Sequence, residues 1–94
     1  MAQSNRQVLR SREQIAKGFA NHRRIEIMEL LAARADVTLD QIAKQLRIDK
    51  NTASEHTFRL LRGGHLVKRY RGREVLHRLT PLGRRCLHFL RSLD

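Results

Sequence analysis

Between Asp49 and Gly64 the chain reads DKNTASEHTFRLLRGG, and the polar residues near its start are of the kinds that read base edges. Lys50, Asn51, Thr52, Ser54 and Glu55 offer short or planar donors and acceptors within the first turns of one helix. An Asn side chain matches the donor and acceptor of adenine, and Glu matches the cytosine amine. Arg59 and Arg62, farther along, have the length and charge to touch backbone phosphate. A second set follows. From Arg59 to Arg78 the chain carries Arg59, Arg62, Lys68, Arg69, Arg71, Arg73 and Arg78 against Glu74 alone. Within it, Lys68, Arg69, Arg71, Gly72 and Arg73 form a basic tip whose guanidiniums reach phosphate or a narrow minor groove. Taken singly, each set is ordinary: a polar helix, a solvated charged face. Their succession at this spacing points to double-stranded DNA.

Such residues need a brace beneath them. Thr38-x-x-Gln41 is a capping box, and Leu39, Ile42, Ala43 and Leu46 give the helix it starts an apolar side. Ile48 anchors the turn, and Asp49 caps the next helix by accepting from its free amides. In that helix Ala53, Thr57, Leu60 and Gly64 align inward, while Asn51, Glu55, Phe58, Arg59 and Arg62 lie around the other side. Residues 38–64 therefore read as helix-turn-helix, the second helix being the one that enters a groove. Thr38, Gln41 and Lys44 are placed for backbone contacts from the bracing helix. Leu66 to Tyr70 and Val75 to Leu79 read as two strands around the turn Tyr70–Glu74, with Val37 adding one strand residue.

The flanks read as scaffold. Two capping boxes, Ser4-x-x-Gln7 and Ser11-x-x-Gln14, leave the start of a first helix open. Val8, Ile15 and Phe19 share one of its faces, with Leu9 and Ala16 alongside, and Gly18 weakens its end. Asn21 caps a second helix over about residues 22–34, with Ile27, Leu30, Leu31 and Arg34 at helical spacing and Ile25, Met28 and Ala32 beside them. Thr80-Pro81 starts the last helix, where Leu82, Cys86, Phe89, Leu90 and Leu93 form a stripe. The fold class expected is mainly α with a small β-hairpin (α+β), in the order α-α-(β)-α-α-β-β-α.

Whole-chain quantities narrow the function. Ninety-four residues suffice for one small domain. A formal charge of +11 at pH 7 and a pI near 11.5 favour a polyanionic partner, nucleic acid first. Aromatics at 4%, with no Trp, argue against a stacking platform for single strands. A single cysteine excludes an internal disulfide and fits a reducing compartment. No apolar run approaches the roughly 18–20 residues of a bilayer span, and the polar start is unlike a signal peptide. A cytoplasmic protein with no membrane partner is expected.

Catalysis and metal binding find little support. There is no glycine-rich phosphate loop and no nucleophile elbow, and Ser54 near His56 lacks a pocket and an orienting acid. Cys86 and His88, two apart on a helix, point roughly 200° apart and do not share an ion. His22, His56, His65 and His77 show no ligand spacing. The expectation is no enzyme, no cofactor and no metal.

Residues from about Asn21 to Leu79, about two thirds of the chain, resemble the winged-helix domain of the ArsR family of bacterial and archaeal repressors. The matching pieces are His22-Arg-Arg-Ile-Glu-Ile-Met-Glu-Leu-Leu31, Gln41-Ile-Ala-Lys-Gln-Leu46, Asn51-Thr-Ala-Ser-Glu-His56 and Gly64-His-Leu-Val67. The MarR family shares the architecture, and Leu79-Thr-Pro-Leu-Gly83 is similar to its wing exit. The resemblance implies a homodimer joined through the first and last helices, on which Val8, Ile15, Phe19, Leu82, Cys86, Phe89, Leu90 and Leu93 are the interface candidates. It also implies recognition helices in successive major grooves. Two departures stand out. The cysteine pair of metal-sensing members has no counterpart in Ala35–Asp40, and His65 adds one residue before Leu66-Val67.

The organisation expected is thus an N-terminal dimerisation helix over 1–20, a winged helix-turn-helix over 21–80 and a C-terminal dimerisation helix over 81–94. The function expected is a sequence-specific, dimeric DNA-binding transcriptional regulator, a repressor acting by operator occupancy. Two alternatives stay open: a low-specificity architectural or plasmid-partition protein, and a winged-helix module that binds protein or RNA.

Overall fold

The computed structural model describes residues 5–94, which form helices α1 (Asn5–Phe19), α2 (His22–Ala33), α3 (Leu39–Leu46), α4 (Lys50–Arg62) and α5 (Pro81–Arg91) and strands β1 (Leu66–Arg71) and β2 (Glu74–Leu79). This is the expected winged helix-turn-helix order. Val37 makes its single bridge, to His77.

Local capping explains most boundaries. The Asn21 side chain accepts from the amides of Arg23 and Arg24 at 2.9 and 3.3 Å and starts α2. Thr38 and Gln41 form a reciprocal box at 3.2 and 2.8 Å. Asp49 starts α4, and Thr80, followed by Pro81, starts α5 by accepting from the Gly83 amide at 3.0 Å. Each cap satisfies amides that the helix itself leaves without partners.

Four expectations are corrected. Ser11 lies inside α1, so its capping box does not form; Ser4 lies outside the described residues. Helix α2 stops at Ala33, and Arg34, expected on the buried stripe, is an exposed cap in extended conformation. Helix α4 stops at Arg62, because Gly63 caps it and Gly64 takes φ +81°, which no right-handed helix accommodates. Gly64 is therefore not part of the inward row. The wing turn is also shorter than five residues. The strands pair through Arg71 and Glu74, leaving Gly72-Arg73 as the turn, with Gly72 at φ +60°. A positive φ at the first turn position suits the right-handed twist of the strands.

The core is aliphatic, as 4% aromatics requires. Ile27, Met28 and Leu31 of α2 meet Ile42 and Ala43 of α3, Ala53 and Leu60 of α4, and Leu66, Leu79 and Leu87. Helix α2 is central, and α1 lies outside it, packed on α4.

One junction ties the outer pieces together. His65, fully buried, sits between Gly18 of α1 and Gly63, with its Nε2 2.8 Å from the Ile15 carbonyl and its ring edge-on to Phe19. Its own carbonyl accepts from the Thr80 amide at 3.0 Å and lies against Gly83 so closely that a Cβ there would collide with it. His65, between α4 and β1, is thus the residue that docks α1 and α5. Gly18, one residue before the end of α1, is also a point of close approach.

Candidate nucleic-acid interface

The presentation of α4 begins in the turn before it. Arg47 takes a left-handed conformation at φ 57°, and its amide bonds the Ala43 and Lys44 carbonyls, ending α3. Ile48 then packs against the core. Asp49 accepts from both the amide and the hydroxyl of Thr52 at 2.8 Å, and these bonds hold its carboxyl below the usual carboxylate range. Asp49 is therefore a fixed anion at neutral pH, placed where the helix dipole favours one.

With Ala53, Thr57 and Leu60 buried, α4 turns Lys50, Asn51, Ser54, Glu55, Phe58, Arg59 and Arg62 outward. The structure thus brings six of the seven expected reader residues onto one exposed surface. Thr52 differs: it is half-buried and its hydroxyl proton is committed to Asp49. Lys50 lies 3.1 Å from Asp40 of α3. On α3, Thr38 and Gln41 are half-buried and engaged in the capping box, while Lys44 is exposed.

The hairpin packs beside α4. A cleft of about 280 Å³ between them is lined by Leu39, Ser54, Phe58, Leu61, Lys68 and Val75, with His77 and Thr57 beneath. The basic residues of the wing are not equivalent. Arg71 pairs with Glu74 at 3.0 Å, and Arg69 lies 3.8 Å from Asp36. Arg78 is held by the same Asp36 carboxylate at 3.1 and 2.6 Å, and that bond keeps Asp36 ionised below the usual range. Lys68 and Arg73 are exposed and, among the described residues, make no ion pair. Arg73 stands at the turn beside Gly72, the outermost point of the hairpin.

Sequence reasoning missed Asp36 and His65. Asp36 sits at φ 61°, and an Asp after a helix end is the residue type that tolerates this geometry. His77 is likewise buried, its Nδ1 2.9 Å from the Val37 carbonyl, and burial lowers its pKa.

The candidate dimer residues divide. Phe89 on α5 and Leu93 just beyond its end are 56% and 64% exposed, and Leu82 and Leu90 are half-buried. Cys86 and Phe19 pack against the protomer's own core, and burial pushes the Cys86 thiol up. Val8 and Ile15 are half-buried on α1, where Leu9 is 61% exposed. No three His, Cys, Asp or Glu side chains converge among the described residues, and no helix is long and apolar enough to cross a membrane.

No protein-family model and no curated protein matches the sequence. Solved structures do match. The homodimeric winged helix-turn-helix DNA-binding domain of a possible ArsR-family transcriptional regulator from Mycobacterium bovis superposes with a TM-score of 0.85 at 28% identity. That match covers 99% of this chain and 89% of the other. HlyU from Vibrio cholerae gives 0.79 at 20% identity over 97% of each chain. The transcriptional repressor PagR of Bacillus anthracis gives 0.79 at 22% identity, over 92% of this chain and 99% of its own. The chain is a winged helix-turn-helix protein whose structural neighbours include the DNA-binding domain of a possible ArsR-family transcriptional regulator and a transcriptional repressor.

Proposed function

We propose that the chain is a dimeric, sequence-specific regulator of transcription that binds double-stranded DNA and represses by occupying its operator. The observation that carries this reading is the outward face of α4. Asn51, Ser54 and Glu55 stand exposed above a buried inner row, beside a hairpin whose tip carries Arg73, exposed and without an ion pair among the described residues. On this reading Lys50 to Glu55 meet base edges, and Arg59, Arg62 and the wing residues Lys68, Arg69, Arg71 and Arg73 meet phosphate. Lys44, with the Thr38 hydroxyl and the side-chain amide of Gln41, adds backbone contacts from α3. Thr52 serves chiefly to hold Asp49 in place.

Residues 1–20 and 81–94 supply the dimer contacts around the DNA-binding unit of 21–80, and the exposed Phe89 and Leu93 are what a second copy covers. The dimeric state of the Mycobacterium bovis domain supports this arrangement. Neither a metal nor a catalytic step is part of the proposal, and the protein acts in the cytoplasm, where the DNA is.

The +11 charge favours a second reading, a low-specificity architectural protein. In-vitro selection of duplex DNA by the purified protein separates the two. A two-fold symmetric motif, bound about 10³-fold or more over random duplex at physiological salt, supports the regulator. Uniform affinity across sequences supports the architectural role, and no duplex affinity at all overturns both.

A further inference from the structure

The outward face of α4 is polar except at its centre, where Phe58 is 53% exposed. It lies one turn beyond Ser54, two turns beyond Asn51 and one turn before Arg62, on the same face. The Arg62 guanidinium stands 5.7 Å from the ring centroid, covering one face by a cation–π contact. On the wing side the ring joins Leu39, Leu61 and Val75 along the α4–hairpin cleft. On the other side lies a cleft whose walls carry Arg10, Lys17, Arg59 and Arg62 together with Glu13 and Glu55. An aromatic ring thus stands proud between polar readers, with Arg62 over one face and about half of the residue in water.

Such a ring gains little from a hydrogen-bonding groove floor, except at one group. The major groove of DNA presents a single apolar feature, the C5-methyl of thymine. We propose that Phe58 is a specificity-determining residue whose ring packs on a thymine methyl in each half-site, with Arg62 holding the ring and reaching the adjoining phosphate. The proposal rests on the DNA-binding reading above. Seven residues of helix separate Phe58 from Asn51, about 10 Å of rise. At about 3.4 Å per base pair the thymine lies within about three pairs of the one Asn51 reads.

The test exchanges thymine for deoxyuridine, one position at a time, in the selected duplex. This removes the methyl and leaves every hydrogen-bonding group. For the wild-type protein one such exchange lowers affinity roughly fourfold, the scale of one buried methyl group. In Phe58→Ala the same exchange has no effect, whatever the variant's overall affinity for duplex. Phe58→Leu retains part of the methyl effect, and circular dichroism on both variants confirms the fold. The proposal is overturned if no exchange affects the wild type, if the methyl effect survives in Phe58→Ala, or if the selected half-site holds no thymine near the Asn51 position. In each of those cases duplex binding itself persists, so DNA binding stands while the role of Phe58 falls. A wild-type protein with no duplex affinity overturns both.

Discussion

Arg78 grips Asp36 with two nitrogens, at 3.1 and 2.6 Å, and so fastens β2 to the loop that follows α2. The same carboxylate lies 3.8 Å from Arg69, so one acidic residue restrains two of the cations on the outer face of the wing. Asp36→Asn keeps a residue that tolerates positive φ while removing the charge. Affinity for random duplex is expected to rise, and the plot of log K against log salt to steepen by up to about one phosphate contact. Salt titrations of the two proteins measure this. An unchanged slope means that neither Arg69 nor Arg78 reaches phosphate.

Gly83→Ala runs against the usual helix rule. Within a helix the change normally stabilises by up to about 1 kcal/mol. Here the added Cβ is driven into the backbone carbonyl of His65, which is fixed by the Thr80 amide and cannot rotate away. Destabilisation of about 1–3 kcal/mol is expected, read as a lower urea midpoint at unchanged slope. A stabilised variant means that α5 shifts freely on β1.

Stability should also fall on mild acidification. Burial lowers the pKa of both His65 and His77 relative to the unfolded chain. The buried Nδ1 of His65 has no hydrogen-bond partner among the described residues, so a second proton on that ring has no acceptor there. The unfolded chain therefore binds more protons once pH drops below the ordinary histidine value of about 6.5. The contribution of these rings is complete above that value and is lost as pH falls through their lowered folded values. Urea midpoints at pH 7.5, 6.5 and 5.5, with imidazole titration by NMR, follow both quantities. A His65 ring titrating at or above 6.5 contradicts the packing described.

What was legible in the sequence is what is decided locally. Thr38 with Gln41, Asp49 before Lys50, Asn21, and Thr80-Pro81 announce their helices because a cap and the amides it satisfies lie within three residues of one another. The inward rows were legible except at their ends: period separates Ala53, Thr57 and Leu60 from Asn51 and Glu55, but it also placed Arg34 and Gly64 on rows that stop short of them. His65 was not. Its partners are Ile15, Gly18 and Gly83, distant along the chain, and a histidine surrounded by glycines reads as loop until the three segments converge. The pairing of Arg69 and Arg78 with Asp36 is hidden for the same reason: basic residues counted alike from sequence prove unequal once Asp36 and Glu74 are placed. The exposure of Phe58 follows from helical period, which sets it with Asn51 and Glu55 and away from the buried row of Ala53, Thr57 and Leu60.

The assembly is tested on α5 and the turn that follows it. Phe89 and Leu93 are more than half exposed, and the proposed dimer covers them. Phe89→Glu and Leu93→Glu place charge on that surface without touching Leu87, which holds α5 to the core. Sedimentation of each variant is expected to give monomer with an unchanged helical spectrum, and affinity for a two-fold symmetric operator should fall together with dimerisation. Dimers that survive both changes place the interface elsewhere.

The wing arginines should differ in a defined order. Arg73 makes no ion pair among the described residues, whereas Arg71 is held by Glu74 at 3.0 Å and must give up that partner to meet phosphate. Arg73→Ala is therefore expected to weaken binding to all sequences and to flatten the salt slope by about 0.9, the share of one phosphate. Arg71→Ala should do the same to a smaller extent, and Glu74→Gln, which releases Arg71, should steepen the slope. Asn51→Ala separates reading from gripping. It leaves the slope unchanged but costs about 1–3 kcal/mol of discrimination at one base pair. Equal effects of Arg71→Ala and Arg73→Ala would show that the Glu74 contact dissolves on DNA, and no effect from either removes the wing from the interface.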